Sequence, residues 1–110
     1  MAKIKEVSDE HILFDDGTEI TYAHAQECCE NNYADFKQLE ESALSEDFDT
    51  GNMKYEMVEE AGFRFGSDPL RMYFIPCYTE QNGYYGTDIE IYQNGGLVLT
   101  GDCEWVDTVF

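Results

Sequence analysis

Residues 12–22 read Ile-Leu-Phe-Asp-Asp-Gly-Thr-Glu-Ile-Thr-Tyr, two apolar stretches separated by an Asp-Gly pair. Such a pair tolerates the positive φ angles of a tight hairpin turn. Ile4 and Val7 make residues 3–7 a candidate strand just before this hairpin. The chain is therefore predicted to begin with three consecutive antiparallel strands.

Further short strands are expected in the second half of the chain, because β-branched and aromatic residues alternate with Gly-containing turns there. Pro76 lies within one of them and is expected near an edge or a bulge, since it has no N–H to donate. The predicted strands cover residues 53–60, 62–66, 70–79, 84–93 and 97–109.

Residues 23–43 are predicted to be helical in two parts, on either side of Asn31-Asn32. The first part, residues 23–30, contains no Gly, Pro or β-branched residue, which favours a helix. We therefore expect an α+β fold in a single domain, residues 1–110. A mostly antiparallel sheet would be covered on one face by a helix at about residues 23–43.

The composition is that of a small and very acidic globular protein. Its 110 residues include 24 Asp and Glu against 6 Lys and Arg, a net charge of −18, yet 43% are hydrophobic and 15% aromatic. This apolar content is enough for a packed core. The charge repels nucleic acid and anionic lipid, so the expected partner of this predicted monomer is a protein with a basic surface. No apolar run is long enough for a secretory signal or a membrane span, which predicts a cytoplasmic protein.

Five side chains are candidate ligands of a structural zinc ion, because a reducing cytoplasm disfavours disulfides. His24 and Cys28 are four residues apart and would share one face of a helix, while Cys77 and Cys103 have the strand parity of inward-facing residues. A structural zinc takes four ligands. The sequence therefore predicts four of the following five: His24, Cys28, Cys29, Cys77 and Cys103.

The alternative is that these cysteines are small buried hydrophobes and that His24 is an ordinary hydrogen-bonded residue. A thiol enzyme is not favoured, because no Gly-rich loop adjoins either Cys28 or Cys29 to supply an oxyanion hole, and the many carboxylates oppose a thiolate. The chain also has no phosphate-binding Gly motif. We therefore expect no catalytic residues and no enzymatic activity.

The densest negative charge lies between residues 40 and 60, which hold eight acidic residues and one basic residue, Lys54. A turn at Thr50-Gly51-Asn52 is expected to let this stretch adapt to a partner. We call these eight residues the acidic stretch and predict that they contact the partner. They are Glu40, Glu41, Glu46, Asp47, Asp49, Glu56, Glu59 and Glu60.

Two sequence motifs resemble those of known protein families. Residues 24–30 read His-Ala-Gln-Glu-Cys-Cys-Glu, followed by Tyr-Ala-Asp-Phe at 33–36, and residues 76–85 read Pro-Cys-Tyr-Thr-Glu-Gln-Asn-Gly-Tyr-Tyr. With these motifs the chain resembles a family of small uncharacterised phage and prophage proteins. It is also similar to zinc-containing anti-CRISPR proteins that act against type II systems.

The resemblance implies an inhibitor in the cytoplasm of a bacterial host cell. It would bind a type II nuclease, Cas9, on a basic surface and prevent the loading of target DNA. The resemblance also adds weight to His24, Cys28, Cys29 and Cys77 as zinc ligands. The alternatives are a zinc-stabilised interaction domain that inhibits another host defence enzyme, and a phage protein with no inhibitory role.

Overall fold

The structure, a computed structural model, describes residues 1–23, 31–80 and 88–106. Within these ranges the chain forms ten β-strands and three short 3-10 helices, and no helix reaches seven residues. The described fold is therefore all-β, and the α+β prediction is wrong. The 3-10 helices are Phe36–Gln38, Glu41–Ser45 and Thr50–Asn52.

The first sheet has five antiparallel strands in the order β1-β2-β3-β8-β9. As predicted, Gly17 has a positive φ of 92° in the turn between β2 and β3. Asn94 and Gly95, with φ angles of 52° and 82°, turn the chain between β8 and β9. The strands are β1 (Ile4–Val7), β2 (His11–Phe14), β3 (Glu19–Ala23), β8 (Asp88–Gln93) and β9 (Gly96–Asp102).

The second sheet is built around its longest strand, β7. The first half of β7 pairs with β6, while its second half pairs with β4 in antiparallel and with β10 in parallel orientation. Because β4 and β10 both pair with residues 78–80, they lie on opposite edges of β7. The strands are β4 (Asn31–Ala34), β5 (Lys54–Val58), β6 (Gly62–Gly66), β7 (Tyr73–Glu80) and β10 (Glu104–Val106).

Pro76 is buried within β7, opposite Gly62 of β6, at the point where the pairing of β7 with β4 ends. Its carbonyl accepts a hydrogen bond from the backbone N–H of Asp35 at 2.9 Å. Gly62 has a φ of 152°, and a Cβ there would lie 2.1 Å from the carbonyl oxygen of Ile75. Only glycine fits this close approach of β6 to β7.

The described half of the predicted helix is a strand followed by short 3-10 turns. Asn32 and Ala34 of β4 are buried and pair with Thr79 and Cys77 of β7. This long-range pairing outweighs a weak local preference for helix. Residues 24–30, the first half of that prediction, lie outside the described residues. Among the described residues, no helix has the length and apolarity to cross a membrane.

The core lies between the two sheets and centres on three phenylalanines. The ring centroid of Phe48 lies 5.3 Å from that of Phe14 in β2 and 5.7 Å from that of Phe65 in β6. The backbone of Phe48 also pairs with Ala2 through hydrogen bonds of 2.8 and 2.7 Å. The segment between β4 and β5 is thereby fastened to the start of the chain.

Candidate functional site

Cys77 and Cys103 are neighbours in the core. Cys77 lies in β7 and is fully buried, and Cys103 is the single residue between β9 and β10, with 2% of its surface exposed. In the parallel pair of β10 and β7, Glu104 lies opposite Tyr78, so Cys103 comes one step earlier, level with Cys77. The Cys77 thiol donates to the carbonyl oxygen of Ile75 at 4.0 Å, and Cys103 is near enough to raise the pKa of that thiol. Both cysteines are buried, as an inward orientation requires, although Leu97 and Trp105, which share the strand parity of Cys103, are 57% and 44% exposed.

The environment of Cys77 keeps its thiol protonated. The hydrogen bond with Cys103 and the loss of hydration on burial both raise the pKa of the Cys77 thiol far above its usual range. A metal ion would therefore have to displace a proton from this thiol in order to bind.

The other three predicted zinc ligands, His24, Cys28 and Cys29, lie outside the described residues. Within residues 1–23, 31–80 and 88–106, no group of three or more His, Cys, Asp or Glu side chains is placed to hold a metal ion. The structure therefore brings together two of the five candidates, and the zinc site stays a prediction.

The acidic stretch is divided by the length of β5. Glu46 accepts a hydrogen bond from the Tyr73 hydroxyl at 2.9 Å, near the open end of the β5–β6 hairpin. Glu59 and Glu60 lie in the turn that closes this hairpin. Five strand residues separate the two ends, which is about 16 Å at 3.3 Å per residue. The two ends of the acidic stretch are therefore separate, and Glu56 lies between them in β5.

Several carboxylates of the stretch are held by side chains of this chain. Asp47 pairs with Lys3 at 2.8 Å, and the attraction of that ammonium lowers the pKa of the Asp47 carboxyl. Glu56 pairs with Arg64 at 2.7 Å. These exposed pairs stabilise the fold by little, but they occupy carboxylates that sequence reasoning had assigned to a partner.

A second acidic cluster lies where β9 passes into β10, and the sequence analysis missed it. A cavity of about 410 Å³ there is lined by carboxylates from two parts of the chain, by the edge of Cys103 and by an indole that is 44% exposed. Asp102 fastens this corner by accepting the backbone N–H of Glu60 at 2.8 Å. The sequence signal of this cluster is the run Asp102-Cys103-Glu104-Trp105, which lies within the predicted strand at residues 97–109. The lining residues are Glu59, Glu60, Asp102, Cys103, Glu104 and Trp105.

His11 lies between two carboxylates of the first sheet. Its Nε2 is 2.8 Å from Glu6 Oε2, and its Nδ1 is 3.1 Å from Glu19 Oε2. Both ring nitrogens of His11 thus face carboxylates of the first sheet.

The described part of the chain is an elongated body, with extents of 44 × 23 × 20 Å. All six Lys and Arg lie within the described residues, and four of them are ion-paired there with carboxylates. Only Glu27, Glu30 and Asp107 of the 24 acidic residues lie outside. The described part therefore carries a net charge of −15, about one per 3 Å of its long axis, against roughly one per 1.7 Å for duplex DNA.

Comparison with known proteins shows the family of the chain. The family model described as Domain of unknown function (DUF7448) matches residues 1–91. No curated protein and no solved structure matches the chain. The match carries no function, so the phage origin and the anti-CRISPR similarity stay predictions.

Proposed function

We propose that the chain, which belongs to the DUF7448 family of domains of unknown function, is a non-enzymatic binding module that occupies a basic protein surface in place of nucleic acid. The observation that supports this proposal is the ratio of the net charge to the length of the long axis. A body 44 Å long and 20 to 23 Å across has a charge spacing within twofold of that of duplex DNA.

Two physical effects would make such a body an effective competitor. Its negative field steers it towards a positive cleft and raises the rate of association. Once bound, it occupies the basic side chains that would otherwise contact phosphates, so nucleic acid and protein exclude each other. Neither effect needs a catalytic group or a turnover.

The specific partner that we propose is a Cas9 nuclease, with the module acting in a phage-infected bacterial cell. A Cas9 holds its guide–target duplex in a positively charged channel and recognises that duplex through its backbone. An acidic body of duplex-like width has the charge and cross-section for that channel. The support for this choice of nuclease is the motif resemblance, and another DNA-binding defence enzyme is the alternative partner.

Four residues of the acidic stretch are suited to a test by charge reversal: Glu40, Glu41, Glu59 and Glu60. They come from both ends of the stretch. Substituting them leaves the Lys3–Asp47 and Glu56–Arg64 pairs intact. Changing all four to Lys takes the net charge from −18 to −10, since each reversal adds two positive units. The matched variant with four Gln has a net charge of −14 and the same side-chain lengths.

The experiment measures the dissociation constant for a Cas9 ribonucleoprotein over a range of salt concentrations. Affinity should fall from the wild type to the Gln variant to the Lys variant, and the dependence on salt should become shallower in the same order. Circular dichroism checks that each variant is folded. Equal affinity of the folded Lys variant and the wild type would reject the proposal that this charge makes the contact.

A further inference from the structure

We propose that Cys77 and Cys103 form an oxidation site, at which a neutral peroxide converts the two thiols into a disulfide that joins β7 to β10. The inference rests on the placement of the two side chains and on the cavity beside them. It does not depend on the proposed function, and it concerns the metal-free protein, because a zinc ion held by four of the five candidates would engage at least one of the two cysteines.

The register of the second sheet places the two cysteines beside each other, because Cys103 directly precedes the ladder between β10 and β7. Cys103 precedes Glu104, which pairs with Tyr78. Cys103 therefore lies level with Cys77, on the segment that leads into the parallel strand β10. Neighbouring strands are about 4.8 Å apart, within the range of roughly 4.4–6.8 Å between Cα atoms in disulfides. Level residues of parallel strands point to the same face, and Cys103 is near enough to Cys77 to raise the pKa of its thiol.

Among the described residues, Cys103 is the member of the pair that reaches a cavity. Cys77 is fully buried, whereas Cys103 lines the cavity of about 410 Å³ at the corner between the two sheets. The other lining residues include four carboxylates, Glu59, Glu60, Asp102 and Glu104. A cleft lined by one sign of charge repels ligands of that sign, so a small neutral oxidant enters more readily than an anionic one.

The chemistry is balanced with hydrogen peroxide as the oxidant. The sulfur of Cys103 attacks one peroxide oxygen and the O–O bond breaks, which gives a sulfenic acid and one water. The sulfur of Cys77 then attacks the sulfur of Cys103, so the S–S bond forms, the S–O bond breaks and a second water leaves. Two thiols and one peroxide become one disulfide and two waters.

The bond would lock the joint between the sheets. Cys103 is the single residue between β9 of the first sheet and β10 of the second. β10 has only three residues, Glu104–Val106, and is held on β7 by a short ladder. A covalent link at Cys103 fixes the start of this strand, and we expect the oxidised form to resist local opening at that edge.

The test is peptide mapping of the full chain after metal has been removed with a chelator. Trypsin cleaves after Lys5, Lys37 and Arg71, so Cys28 and Cys29 fall in the peptide 6–37 and both core cysteines fall in the peptide 72–110. The folded protein is treated with peroxide, quenched with catalase, unfolded, alkylated with N-ethylmaleimide and digested. Peptide 72–110 should lose two hydrogens and take up no alkyl group, and dithiothreitol should reverse both changes.

Two controls test the route of oxidation. Glutathione disulfide, which is anionic, should form the same bond more slowly by a factor on the order of ten. In Cys77→Ser, a dimedone adduct should accumulate on Cys103, whereas in Cys103→Ser the buried Cys77 should stay alkylatable after unfolding. Two alkyl groups on peptide 72–110 of the peroxide-treated wild type, or a cross-link from it to peptide 6–37, would overturn the proposal.

Discussion

The hydroxyl of Tyr55 in β5 donates a hydrogen bond of 2.5 Å to Oε1 of Gln93 in β8. Gln93 in turn donates from Nε2 to the carbonyl oxygen of Thr50 at 3.0 Å. The Gln93 side chain of the first sheet is thereby hydrogen-bonded both to β5 of the second sheet and to the 3-10 helix that precedes β5. Burial raises the pKa of Tyr55 well above its usual value, which keeps this donor protonated.

Tyr55→Phe should lower the free energy of unfolding by about 1 to 2 kcal/mol, because Gln93 Oε1 loses its donor in a half-buried place. Urea denaturation at pH 7 measures this change. Because the pKa of Tyr55 is higher in the folded than in the unfolded protein, the free energy of unfolding falls as the pH rises above 10. The variant lacks this hydroxyl, so its loss of stability at alkaline pH should be smaller. Tyr33→Phe is the control, since its hydroxyl makes a longer bond of 3.4 Å to Glu80 and should matter less. Equal losses in the two variants would contradict a bridging role for Tyr55.

Phe48→Ala should destabilise the protein by about 3 to 5 kcal/mol, the usual cost of truncating a buried phenylalanine. Phe48 is 1% exposed and its ring contacts Phe14, Phe65 and Tyr73. Phe48→Leu, which keeps most of the volume, should lose less. A loss below about 1 kcal/mol for Phe48→Ala in urea denaturation would show that this ring is not central to the core.

Thr50→Val should raise the pKa of Asp16 towards its ordinary value of 3.8. The Thr50 hydroxyl donates to Asp16 Oδ2 at 2.6 Å, and this bond, together with those from Thr18, lowers the pKa of that carboxyl. A carboxyl whose pKa is lowered by folding contributes stability above its unfolded pKa, and this is lost as the pH falls through the folded value. The variant should therefore lose less stability in acid. An NMR titration of the Asp16 carboxyl measures the shift, and an unchanged midpoint would contradict this role for Thr50.

One zinc ion per chain is predicted, held by four of His24, Cys28, Cys29, Cys77 and Cys103. Protein purified with metal present should show one added zinc by native mass spectrometry, and a chelator should lower its melting temperature. Cys77→Ser should lower the zinc content, whereas Lys54→Ser, at an exposed strand position, should not. A metal-free mass for the metal-replete wild type would contradict the prediction.

Sequence patterns predicted the hairpins well, because their signals are local. Asp16-Gly17 and Asn94-Gly95 both form turns with positive φ angles, and these angles fix the adjacent strand pairs. The helix prediction failed at residues 31–34 because a long-range partner decides that structure. Asn32 and Ala34 are buried by pairing with β7, which lies more than forty residues further along the chain.

The candidate site was predictable only in part, for the same reason. Strand parity placed Cys77 and Cys103 inward, but not side by side, because the parallel pairing of β10 with β7 has no local signal. The acidic stretch is continuous in sequence, yet the β5–β6 hairpin separates its two ends. Glu59 and Glu60 instead share a cavity with Asp102 and Glu104, more than forty residues away.

An order-of-addition titration against a Cas9 ribonucleoprotein tests the central claim most directly. The protein is added at increasing ratios before or after target DNA, and cleavage is measured at low and high salt. The account predicts full inhibition at roughly one protein per nuclease when the protein is added first, weaker inhibition at high salt, and little effect once DNA is bound. Equal inhibition after DNA loading, or full inhibition at a small fraction of the nuclease concentration, would contradict it.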